Sequence, residues 1–76
     1  DDAFENLQVD QIMKLVEALP VGYRTVFNMY AIEGYSHKDI AEMLGIDEGT
    51  SRSQFAKARK VLQQQIHKSE GGSQAL

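Results

Sequence analysis

The strongest constraint in this chain is a short helix with both of its ends written into the sequence. In "YSHKDIAEMLG", Ser36 stands three residues before Asp39, the spacing of a capping box with Asp in place of the usual Glu. Ile40, Ala41 and Leu44 then form an apolar stripe at helical spacing. Gly45 supplies the residue that most easily takes a positive φ and stops the helix. A helix of about nine residues is a component, and its partners must come from the flanking segments.

Those segments carry the same period. Ile12, Leu15, Val16 and Leu19 mark a first helix over about Val9 to Ala18, ended by Pro20, which also suits the first turn of the next helix. Tyr23, Val26, Phe27 and Tyr30 share one face of a second helix that stops at Gly34, with Gly22 tolerated in its first turn. After Gly45, Ile46 is placed to plug the core and Asp47 is a candidate N-cap. A long helix then runs over about 48–67, with Phe55, Ala58, Leu62 and Ile66 on one side. There is no strand pattern and no repeat. The expected fold is all-α, a small four-helix domain containing a helix-turn-helix over residues 9–67. A flexible leader at 1–8 and a flexible, Gly-containing tail at 68–76 are expected to flank it.

Composition removes several classes of function. With no Cys in its 76 residues, the chain has no disulfide framework, thiolate metal site or catalytic thiol. No apolar run approaches the ~18 residues that cross a bilayer, so membrane insertion is not expected. His37 and His67 are far apart and read as surface histidines, so neither a metal nor any cofactor is expected. No Gly-rich phosphate loop, paired-carboxylate pocket or Ser-His arrangement is present, and the chain does not read as an enzyme.

Charge is uneven along the chain. Residues 1–48 carry ten acidic and three basic side chains, whereas 49–76 carry one acidic and five basic. Such asymmetry marks either a surface for phosphate polyanions or a solvated basic helix face. Projected at about 100° per residue, the fourth helix turns Ser51, Phe55, Ala58, Leu62 and Ile66 inward. Thr50, Ser53, Lys57 and Lys60 turn outward, with Arg52 and Gln54 flanking them. The N-terminal end of the second helix of a helix-turn-helix is the part that reaches base edges. Arg matches guanine, Gln matches adenine, and Ser, Thr and Lys hold phosphates. Lys38, near a helix start, and Arg24 are candidates for backbone phosphates. Asp47 and Glu48 are expected to cap the helix and complement its dipole. Arg59, at the buried boundary, suits a carboxylate as well as a phosphate, and Lys60 reads as solvated. The aromatic residues at helical spacing are expected in the core. An inward Ser51 needs a partner, such as a backbone carbonyl.

Taken together, the Leu19-Pro20 start, the unit "EGYSHKDIAEMLGI" and the segment "GTSRSQFAKARK" resemble region 4 of the extracytoplasmic-function (ECF) branch of sigma-70-type sigma factors. The resemblance covers roughly Val9 to Ile66. It implies recognition of the −35 promoter element in the DNA major groove, docking on the β-subunit flap of core RNA polymerase, and control by an anti-sigma factor. By position it makes Thr50, Arg52, Ser53 and Lys57 DNA-reading residues, and Ser36 and Lys38 backbone contacts. It further implies a cytoplasmic protein, with the isolated domain a monomer. Ser51 departs from the family, which more often has Val there; Gln54 stands where Arg is common, and Ala56 is smaller than usual. Two other readings of the residues remain: a LuxR-type helix-turn-helix regulator, and an interaction domain that binds an anti-sigma factor or polymerase without useful DNA binding.

Overall fold

The computed structural model describes the backbone of residues 9–75 and the side chains of residues 9–67; the expected leader at 1–8 lies outside the described residues. The described chain is all-helical: α1 (Val9–Glu17), α2 (Val21–Phe27) continuing into a π-helical turn (Asn28–Ile32), α3 (His37–Leu44) and α4 (Glu48–Ala75).

Each boundary has a local cause. The last turn of α1 tightens through bonds from Ala18 N–H to the Leu15 carbonyl (3.2 Å) and from Leu19 N–H to Val16 (3.0 Å). Arg24 Nη1 donates to the Glu17 carbonyl at 2.9 Å. Arg24 therefore helps close the end of α1, with one guanidinium nitrogen engaged by an orphan helix carbonyl. Pro20, with φ −52° and ψ 148°, precedes α2, and its carbonyl accepts from Arg24 N–H at 2.9 Å. In the π-helical turn, Glu33 N–H reaches back five residues to the Asn28 carbonyl (2.9 Å). Gly34 then breaks the path with φ +83°.

The expected cap of α3 is formed. Ser36 is extended, and its Oγ accepts from Asp39 N–H at 3.0 Å. At the other end Gly45 takes φ +70°, and Ile46 N–H bonds the Ala41 carbonyl at 3.0 Å, six residues closing on one in a Schellman turn. This turn sets the angle between α3 and α4. Ile40 is fully buried on α3, whereas Leu44, expected in the same stripe, is 40% exposed. Leu44 lies at the mouth of a groove with Gly22, Val26 and Ile46, at the point where the chain turns away from the core.

Helix α4 packs chiefly on α2 and α3 and touches α1. The central cluster is Val16, Leu19, Phe27, Ala58 and Leu62, with Ile12, Leu15, Tyr23, Phe55 and Val61 packed around it. Tyr30 is not in the core, as expected for it, but 40% exposed. The wider π-helical turn lies where the ideal helical projection drifts, and Tyr30 sits at its centre. The backbone of α4 also continues to Ala75 rather than ending near His67. No proline interrupts it, and the Gly71-Gly72 pair weakens a helix without breaking it.

Candidate nucleic-acid interface

The first turns of α3 and α4 meet at one end of the helix-turn-helix. There an open depression is lined by Tyr30, Ser36, His37, Lys38, Glu48 and Arg52. Ser36 and Lys38, at the start of α3, thus fall on one surface with Arg52 of α4. Thr50, Ser53, Lys57 and Lys60 are exposed along α4, as is Ala56 between them. The expected split into inward and outward faces holds for Ser51, Ala58, Leu62 and Ile66, all buried, and Phe55 is partly buried.

Gln54 departs from this surface. Its amide oxygen is buried without a hydrogen-bond partner and lies 3.5 Å from where a Cβ on Gly22 would sit. It projects about 60° from Ser51 on the α2 side, and so lines the groove beside Gly22, Thr25 and Val26. Thr50, at the rim of the same groove, remains exposed. Arg59 is partly buried and has an interaction partner within the protein.

Arg52 is exposed but not unpaired. Its Nη2 donates to Glu48 Oε2 one turn earlier, with the two side chains 60% and 43% exposed. An exposed i,i+4 pair is worth only about 0.3–0.5 kcal/mol, whereas a bidentate Arg–guanine pair discriminates by about 1–3 kcal/mol. The pair is therefore weak enough to yield the guanidinium to a stronger partner. Glu48 thus does more than complement the helix dipole: it holds Arg52 at the helix start. Asp47 contributes its carbonyl, which accepts from Ser51 N–H at 3.0 Å.

The feature that sequence reasoning missed is His37. Its Nδ1 lies 2.8 Å from Ser51 Oγ, so the inward serine is satisfied by a side chain of α3 and not by a backbone carbonyl. The imidazole stacks on Tyr30, with centroids 4.2 Å apart and planes within 7°, and meets Phe55 edge-on at 5.9 Å. It is a partly buried strut, not a plain surface histidine. Burial, and then the Arg52 guanidinium, hold its pKa below the ordinary 6.5, with Glu48 opposing. The sequence signal that pointed here was the polar residue at the inward position 51, which had to find a partner.

The site offers exposed donors on a convex helix, beside an open depression rather than an enclosed cavity. Among the described residues no cluster of His, Asp and Glu is arranged to hold a metal ion, and no helix is long and apolar enough to cross a membrane. The family model described as "Sigma-70, region 4" matches residues 9–62, most of the chain. No curated protein and no solved structure matches significantly.

Proposed function

Because the chain belongs to the sigma-70 region 4 family, a family of promoter-recognising DNA-binding domains in transcription initiation, we propose that it reads the −35 element as the DNA-binding domain of an ECF sigma factor. In this reading the first turns of α4 enter the major groove. Arg52 reads a base edge, Thr50, Ser53 and Lys57 contact bases or phosphates, and Ser36 and Lys38 hold the backbone at the start of α3. Gln54 joins them only by leaving the groove beside Gly22. The single observation that carries the reading is the convergence of Ser36, Lys38 and Arg52 on one open surface that continues onto the exposed side of α4. The family's partners are promoter DNA and RNA polymerase. Docking on the β flap, capture by an anti-sigma factor, a cytoplasmic location and a monomeric isolated domain complete the proposal.

A salt series tests it. The full-length protein with core RNA polymerase is titrated with −35 duplexes, and log K is plotted against log salt. Promoter reading gives a negative slope, because phosphate contacts release counterions. The Glu48–Arg52 pair and the acidic first half of the chain favour the competing interaction-domain reading. That reading requires the assembled polymerase to show no promoter binding attributable to this domain at any salt concentration.

A further inference from the structure

We propose that His37 is a positioning residue for the reading face: as a neutral imidazole protonated at Nε2, it accepts the Ser51 hydroxyl proton at Nδ1 and fixes the rotation of the first turns of α4 against α3. The inference rests on the promoter-reading proposal and assigns a residue that touches no DNA itself.

The argument starts from Ser51, which is fully buried. Its backbone N–H is spent on the Asp47 carbonyl, and its Oγ has one hydrogen-bond partner among the described residues, His37 Nδ1 at 2.8 Å. A buried hydroxyl has a proton to give, and a single partner decides the direction: Oγ donates, Nδ1 accepts, and the ring proton sits on Nε2. The ring is held on its face by Tyr30 from the π-helical turn and at its edge by Phe55 from α4. One imidazole therefore ties α2, α3 and α4 together, at the residue immediately before Arg52.

The charged and titratable groups around the ring are Arg52 and Glu48 from α4, Lys38 from its own helix, Tyr30 from the π-helical turn and Tyr35 from the loop before α3. Burial and Arg52 favour the neutral ring, the form that this bond requires. Protonation makes Nδ1 a donor and leaves the Ser51 hydroxyl proton without the acceptor it now uses.

A double-mutant cycle on the full-length protein with core polymerase tests the inference by the ratio of affinities for a −35 duplex and its scrambled counterpart. His37→Phe and Ser51→Ala should each lower that discrimination about threefold to tenfold, the scale of one hydrogen bond. The double variant should lose no more than either single one, because the two act as one unit. His37→Asn, which keeps an acceptor near the Nδ1 position, should recover most of the discrimination. Nitrogen NMR of the full-length protein near neutral pH should show His37 Nδ1 unprotonated and Nε2 protonated. Additive losses, a proton on Nδ1, or lowered melting temperatures with unchanged discrimination would each overturn the inference while promoter reading stands. A wild-type holoenzyme that does not discriminate between the duplexes removes the promoter reading and this inference together.

Discussion

Along α4, Ser51, Ala58, Leu62 and Ile66 are buried, while Thr50, Arg52, Ser53 and Lys57, their neighbours in sequence, are exposed. The inward residues are held by shape: Leu62 and Ala58 fill the cluster around Val16 and Phe27, and Ser51 is bonded to one nitrogen of one ring. The outward residues are held loosely, Arg52 by a single exposed carboxylate. A helix that presents donors to a polyanion needs its orientation set from behind and its contact side chains free to rearrange. In the proposed reading the two faces divide those requirements, so substitutions on them should change different quantities.

The largest expected effect is on the inward face. Leu62→Ala removes a fully buried side chain from the cluster and should destabilise the fold by about 2–5 kcal/mol, read by urea unfolding. On the outward face, Arg52→Ala should leave unfolding nearly unchanged and cost about 1–3 kcal/mol of specific binding with relaxed base preference. Equal loss on every duplex would instead make Arg52 a phosphate contact. Between the faces lies the turn that sets their angle. Gly45 sits at φ +70°, so Gly45→Ala should destabilise by about 1–2 kcal/mol, although a Cβ there meets nothing within 4 Å. A melting temperature unchanged by that substitution would show that the turn is not held in the left-handed region. Smaller again, Lys57→Ala should weaken binding uniformly across sequences and reduce the salt slope by about 1.

The last prediction is a pH dependence of the inward face. His37 titrates below 6.5 in the folded protein, so the unfolded chain binds more protons between the folded value and 6.5. The stability contributed by the neutral ring is fully present above 6.5. It declines as pH falls from there through the folded value, and levels off below it. Unfolding of the wild type should lose stability across that window relative to His37→Phe, in which every other titrating group is shared. Parallel profiles would contradict the assignment.

How far the sequence carried depends on the range of each interaction. The Ser36 cap, the stops at Gly34 and Gly45, and the inward set on α4 are all local, decided within a few residues, and all are as expected. The all-helical fold of the described residues followed from the same local patterns, while the family was legible only as a resemblance carried by whole segments, which the family model matches over residues 9–62. What was not legible depends on distance or on a change of helical pitch. His37 finds Ser51 fourteen positions away, across the turn. Tyr30 leaves the core because its helix widens at Asn28–Ile32, and no periodicity announces a π-helical turn. Gln54 and Arg24 are polar residues that a helical wheel assigns to solvent or DNA. Both instead turn to neighbouring elements, Gln54 to Gly22 of α2 and Arg24 to the last carbonyl of α1.

The central claim, that the outward face of α4 is the one that meets DNA, can be tested by position. The chain contains no Cys, so a single cysteine carrying a photoreactive group can be placed at Ala56, between Ser53 and Lys57, or at Val21, 67% exposed on α2. After assembly of the labelled full-length protein with core polymerase on promoter DNA, irradiation should crosslink position 56 to the −35 region and leave position 21 without a DNA adduct. A −35 crosslink from position 21 with none from position 56 would contradict the assignment of the reading face.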